Sequence, residues 1–216
     1  MRRGSFQDGT VDYAAVGATQ AADLMGYPPE RSVPAEASWR IGSGQSRFES
    51  SGDTLLSWAP LRGAGLQVSD VQPASGPMYS GVSFDAEGAP IAPSRLEADQ
   101  RFDADGTPYV GAGTTVRVHG RVKGLRADGQ LRVISVTEEP RRVGFALGTV
   151  GGSVVSGEES FLIEWRDNDE VWFTVRAFDR PVAAMYRLVP PLVRRRRREL
   201  FQGYLRAVSP LYTTPG

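Results

Sequence analysis

The chain has 216 residues, 40% of them hydrophobic, with 25 basic and 25 acidic side chains and no cysteine. That length and composition suit one globular domain burying roughly 70% of its unfolded surface. Zero net charge removes any global pull toward nucleic acid, and the missing thiols exclude a disulfide framework, a thiolate nucleophile and a Cys-ligated zinc site.

The charge is nevertheless uneven. Met1 to Arg180 carry 18 basic and 24 acidic groups, whereas Pro181 to Gly216 carry seven Arg and one Glu. No apolar core follows Arg2–Arg3, and no run approaches the ~20 apolar residues of a membrane span. A soluble cytoplasmic protein is therefore expected.

In chain order, Met1–Thr10 is polar and is expected to be a flexible N-terminus. A single α+β domain is expected over residues 11–209, followed by a tail over 210–216. Tyr13–Val16 reads as a short strand entering the core, and Ala37–Ile41 as a second, weaker one. Ser46-Arg47-Phe48-Glu49 has capping-box spacing with Ser46 at the cap. It predicts a helix that places Phe48, Leu55, Leu56 and Trp58 near one face, weakened by Gly52 by ~1 kcal/mol relative to Ala. Gly63 and Gly65 mark its end, and Leu66, Val68 and Val71 open the next strand. Residues 73–113, rich in Gly, Pro, Ala and Asp, read as one long loop. Thr115–Val122 is a strand with Val116, Val118 and Val122 on one face. Ala127-Asp128-Gly129 carries a hairpin signal, with Leu131–Thr137 as the return strand.

The last third is the most ordered in pattern. Val143, Phe145, Leu147 and Thr149 alternate with Gly144, Ala146 and Gly148, and small residues on one face leave room for another element to approach. Phe161, Ile163 and Trp165 share a face. Val171, Phe173, Val175 and Ala177 alternate with Trp172, Thr174, Arg176 and Phe178, and Asp167-Asn168-Asp169 is the turn between these two strands. Short connections make such neighbours antiparallel. Asp179 then reads as a helix cap with Pro181 in the first turn. That helix breaks at Pro190–Pro191 and restarts with a stripe of Val193, Leu200, Phe201, Tyr204, Leu205 and Val208. The element order predicts α+β architecture: a curved antiparallel sheet packed against a long C-terminal helix, a form that often encloses a cavity.

Three segments carry a resemblance: Arg142-Val143-Gly144-Phe145-Ala146-Leu147-Gly148-Thr149, Ser156-Gly157-Glu158-Glu159, and Ala177-Phe178-Asp179-Arg180-Pro181. They resemble the uncharacterised domain-of-unknown-function family number nineteen-ninety, and Trp58 with Arg62-Gly63-Ala64-Gly65-Leu66 resembles its upstream helix and turn. The likeness covers most of Ala14 to Val208. The family's strand order in turn resembles the START-like helix-grip superfamily, which implies a cavity for an apolar small molecule or lipid. Family members tend to have Tyr where Leu147 stands and Gly-His near Gly152-Ser153, so no chemistry of that phenol or imidazole carries over.

Several residues invite functional readings. His119, the single histidine, falls on the Thr115, Arg117 and Arg121 side of its strand, opposite the valines, which is the place of a surface histidine. Asp103-Ala104-Asp105-Gly106 is similar to the middle of a calcium loop, but Arg101 and Ala112 stand where that loop needs oxygen ligands. Gly148 to Gly152 reads as a hairpin turn and not as a phosphate cradle, since a strand follows it. Arg194 to Arg198 cannot share one helical face; most read as solvated, while Arg197 lies on the apolar stripe and must snorkel or pair. Contact with RNA or an anionic surface is the alternative for that run, and the lack of interleaved aromatics disfavours nucleic acid.

Glu159 is the carboxylate of most interest, because parity places it with Phe161, Ile163 and Trp165. On an apolar face it must pair, hydrogen-bond or protonate. An ion pair is one reading and a ligand anchor the other. The expected pocket comprises Phe145, Leu147, Phe161, Ile163, Trp165, Phe173 and Tyr204, with Glu159 and Arg176 as its polar members. The function expected is non-enzymatic binding of an apolar small molecule or lipid, without cofactor or metal. The competing classes are an enzyme using Glu159 and an Arg, and an interaction protein using the Arg-rich helix. Oligomeric state stays open.

Overall fold

The alternating runs form one seven-stranded sheet in the computed structural model, which describes residues 11–74, 83–84, 90–91, 101–103, 105–122, 125–151, 155–182 and 190–209. The elements in chain order are β1 (Val33–Ser43), α1 (Gln45–Leu56), α2 (Ala59–Gly63), β2 (Leu66–Gln72), β3 (Ser83–Phe84), β4 (Pro90–Ile91), β5 (Thr115–Val122), β6 (Leu125–Glu139), β7 (Arg142–Gly151), β8 (Val155–Trp165), β9 (Glu170–Pro181) and α3 (Pro190–Val208). The sheet order is β1-β9-β8-β7-β6-β5-β2, every neighbour antiparallel, and β3 pairs with β4 apart from it. The architecture is the expected one: an α+β fold in which a curved antiparallel sheet packs against a long C-terminal helix.

The inner face of the sheet carries the core. Phe145 on β7 stands opposite Phe161 on β8, and Ile163 on β8 opposite Phe173 on β9. All four are buried. Trp58 lies between α1 and α2 with φ of 64°, fully buried, its indole N–H donating to the Pro108 carbonyl at 2.8 Å. Burial of so large a ring offsets the cost of a left-handed backbone at a non-glycine residue. Helices α2 and α3 cross on small residues. A Cβ at Gly203 would lie 2.6 Å from the Ala64 Cα, so the two backbones touch only because that side chain is absent.

The outer face explains the small residues of β7. A Cβ at Gly148 would lie 2.2 Å from the Tyr13 hydroxyl. The N-terminal segment crosses there, with the Asp12 N–H donating to the Thr149 carbonyl at 3.0 Å and the Tyr13 ring edge-on to Phe178 at 5.5 Å. The room left by Gly148 thus receives a crossing coil, whereas Gly144 lies against the Phe161 carbonyl and Leu162 of β8.

Four expectations are corrected. Tyr13–Val16 is not a strand, because Tyr13 is held by its side chain and the chain turns at Gly17 (φ 83°) into a short 3-10 helix, Ala18–Gln20. Helix α1 is capped by Gly44 without a side-chain hydrogen bond; Ser46 already lies inside it, and Glu49 instead accepts from Gln45 at 2.8 Å. Ala127, Asp128 and Gly129 are no hairpin turn, since they pair with Gly120, His119 and Val118 and the ladder continues to Val122 opposite Leu125. Asp179 and Pro181 belong to β9 and start no helix: Asp179 pairs with Val33 across the ladder and its carboxylate is held by an arginine of α3. The Asp-x-Pro pattern that suggested a cap is an ion pair at a strand end.

Other expectations fall in place. Thr115–Val122 is β5, Leu66 opens β2, and Asp167-Asn168-Asp169 joins β8 to β9 with Asp169 at φ 66°. Within residues 73–113 the described part is tied down. Val110 donates to the Leu56 carbonyl at 2.9 Å, and Asp103 accepts from the N–H groups of Asp105 and Thr107 and from Arg62 at 2.8 Å. The bond from Arg62 holds the Asp103 carboxyl below the usual carboxylate range. The helix expected before Pro190 falls largely on residues 183–189, outside the described residues.

Candidate functional site

Successive side chains of a strand point to opposite faces, so the adjacent carboxylates Glu158 and Glu159 do different work. Glu158 faces outward and is 3% exposed. Its oxygens accept from the Tyr13 hydroxyl at 2.8 Å, the Gly17 N–H at 2.7 Å, the Thr19 N–H at 3.1 Å and the Thr19 hydroxyl. Burial, and then the Glu158 charge, push the Tyr13 phenol well above its usual value. Arg176 works with the same segment: its Nε donates to Glu36 at 2.9 Å, and its Nη atoms donate to the carbonyls of Thr19 and Ala21, each at 2.8 Å. These two residues fasten the N-terminal segment to the outer face.

Glu159 faces inward and accepts a hydrogen bond from the Tyr204 hydroxyl of α3 at 2.9 Å. Burial pushes its carboxyl up to about 7, against the opposing pull of the Tyr204 hydrogen bond and the charges of Arg197 and Arg196; the Asp179 charge pushes the same way as burial. Burial, followed by the Glu159 charge, also raises the Tyr204 phenol. A carboxyl balanced between its two forms near neutrality can accept, donate or shuttle a proton.

Arg197 pairs with Asp179 and also donates to the Val33 carbonyl at 3.1 Å, so the arginine on the apolar stripe pairs as its position requires. Arg196 is different. Its Nε is enclosed and has no hydrogen-bond partner among the described residues.

These groups surround a cavity of about 130 Å³ between the sheet and the middle of α3. Leu131, Leu147, Ala177 and Leu200 give it apolar walls, and Glu159, Asp179, Arg196 and Arg197 give it a polar end. Ligand pockets for drug-sized molecules run to roughly 300–1,000 Å³, whereas about 150 Å³ holds a single benzene ring. The cavity is of the second kind.

Of the pocket residues named from sequence, Leu147 and Glu159 line this cavity, and Tyr204 reaches it through its bond to Glu159. Phe145, Phe161, Ile163 and Phe173 are packed into solid core, with ring centroids 4.9 Å apart for Phe145–Phe161 and 5.0 Å for Phe161–Tyr204. Trp165 sits near the β8–β9 turn, stacked on Phe48 at 6.1 Å, bonded to Asp169 at 2.9 Å and covered by the Arg141 guanidinium at 4.7 Å. Arg176 is on the opposite face. Sequence reasoning missed Asp179 and Arg196 as cavity residues. The Arg run was visible, but its inward members could be separated only through the helix phase relative to β9.

A cavity between a curved antiparallel sheet and its C-terminal helix defines a protein of helix-grip architecture. The chain belongs to the family described as "Domain of unknown function (DUF1990)", whose model matches residues 95–207. A UPF0548 protein of Deinococcus radiodurans is 39% identical over 75 residues, which is 35% of this chain and 38% of that relative. The aligned stretch thus spans under half of the relative's length. The di-domain ARO/CYC BexL from the BE-7585A biosynthetic pathway superposes with a TM-score of 0.51 at 9% identity, covering 90% of this chain and 54% of that one. A START superfamily protein from Mycobacterium smegmatis matches with a TM-score of 0.44 at 13% identity, over 84% of this chain and 96% of that one. Among the described residues no helix is long and apolar enough to cross a membrane.

Proposed function

We propose that this protein is a non-enzymatic binding module for a small, largely apolar molecule seated between the sheet and α3. The observation that carries this reading is the cavity itself, with leucine and alanine walls and a charged end built from Glu159, Asp179, Arg196 and Arg197. Apolar walls with a few convergent polar groups are the general form of a ligand site. The volume sets the ligand at about one ring or a short branched chain, well below a lipid. Glu159 is its polar anchor.

A second reading is favoured by one observation, the Glu159 carboxyl pushed up to about 7. That value suits a general acid or base at neutral pH, and would make the module an enzyme of the same fold. Native mass spectrometry of freshly purified protein tests the binding reading, since a co-purified molecule of one-ring size supports it. A thermal-shift survey of one-ring compounds follows; no stabilisation by any of them at millimolar concentration refutes it. A bound compound that emerges chemically changed on release transfers the site to the enzyme reading.

A further inference from the structure

We infer that the ligand of this cavity is a small apolar acid, its carboxylate held by the Arg196 guanidinium and its apolar part against Leu131, Leu147 and Leu200. The inference rests on the binding reading above and adds the charge of the ligand. Three observations carry it.

The first is the unequal use of the two cavity arginines. Arg197 is committed: Asp179 takes its charge through Nη2, and Nη1 donates to the carbonyls of Val33 and Pro34 at 3.1 and 3.4 Å. Arg196 has an enclosed Nε with no partner among the described residues. An enclosed N–H without an acceptor is costly, and a guanidinium edge matches a carboxylate with two parallel hydrogen bonds. A ligand carboxylate supplies the missing acceptor.

The second is the state of the carboxyls. Glu158 points to the outer face of the sheet, away from Glu159, and is held there by its four bonds to the N-terminal segment. Asp179 is neutralised by Arg197. Glu159 faces Tyr204, Arg196 and Arg197 from α3 and Asp179 from β9, while β7 and β6 offer only Leu147, Thr149 and Leu131. With its carboxyl raised to about 7, Glu159 does not hold a fixed negative charge that would call for a cation. When Glu159 is protonated, the polar end of the cavity keeps one net positive charge, on Arg196.

The third is size. About 130 Å³ is close to the volume that holds one benzene ring, so the apolar part of the ligand is limited to about one ring. An acid placed beside Glu159 also favours its protonated form, so binding above neutrality takes up a proton.

The test compares four one-ring probes on the full chain by isothermal titration calorimetry: benzoate, benzamide, benzyl alcohol and benzylamine. Benzoate is expected to bind at least about tenfold more tightly than benzamide, the ratio set by one charge-assisted hydrogen bond. At pH 8, titrations in two buffers of different ionisation enthalpy should show proton uptake with benzoate, and Glu159→Gln should remove that uptake. Arg196→Gln should bring benzoate down to the level of benzamide. Should that variant fail to fold by circular dichroism, Arg196→Lys is read in its place, and a several-fold loss of the preference is expected. Benzamide or benzylamine binding as tightly as benzoate overturns the inference while leaving the binding reading intact. An acid preference that survives loss of the guanidinium overturns it as well. If none of the four binds, both fall together.

Discussion

Glu159→Gln makes the protein's stability nearly blind to one proton, and the size of the effect follows from the site. In the folded chain the carboxyl is raised from 4.5 to about 7, chiefly by burial. The folded state therefore holds its proton where the unfolded state has lost it. Stability from this group is fully present below the unfolded value, about pH 4.5, and is lost as pH rises through about 7. The shift corresponds to about 3 kcal/mol. Glu159 is only half-buried at the cavity wall, so screening reduces the expected effect to about 1–2 kcal/mol. Gln keeps an oxygen for the Tyr204 hydroxyl and carries no charge. The assay is urea unfolding of wild type and variant at pH 5, 6, 7 and 8, read as the difference between them so that all other titrations cancel. The variant is expected to gain about 1–2 kcal/mol on wild type between pH 5 and pH 8. Parallel stability profiles would show that the carboxyl is not held in a low-dielectric site, and would refute the placement of Glu159.

The other predictions concern how the site is framed. Phe161→Ala should cost about 3–5 kcal/mol in urea unfolding and Trp165→Ala about half that, because Phe161 is 1% exposed amid Phe145 and Tyr204 whereas Trp165 is only partly buried; equal losses would put Trp165 in the core. Glu158→Ala strips four hydrogen bonds from the N-terminal segment, so hydrogen exchange over residues 11–24 should accelerate while β7–β9 stay protected, with about 3 kcal/mol of stability lost. Unchanged exchange there would mean that Glu158 does not fasten the segment. Arg197→Met leaves Asp179 unpaired at the cavity wall and should cost about 2–3 kcal/mol by denaturant titration. Arg195→Gln and Arg198→Gln, on the exposed side of α3, should stay within about 0.5 kcal/mol, and equal effects of all three would refute the division of the run.

Local pattern was enough for the architecture. The alternation in Val143–Thr149, Phe161–Trp165 and Val171–Ala177 needs one face buried, the Asp167–Asp169 turn makes neighbours antiparallel, and the stripe from Leu200 to Val208 needs a sheet to cover it. The same parity placed Glu159 inward, the helical stripe required Arg197 to snorkel or pair, and the small residues of β7 left room for another element to approach. Each of these conclusions depends on neighbours only a few residues apart.

What local pattern could not supply were contacts between residues far apart in the chain. Asp179 looks like a helix cap until α3 brings Arg197 to it, and Glu158 looks like a surface carboxylate until Tyr13, Gly17 and Thr19 close over it. The expected pocket took in the inward aromatics of β7, β8 and β9, since parity gives the face of a side chain but not the depth to which other elements fill the space above it. Trp58, Tyr204 and the close crossing of α2 and α3 fill most of that space with core. Among the described residues the end beside Arg196 and Arg197 is left open, because the close approach of α2 and α3 at Gly203 and Ala64 fills the space farther along the helix.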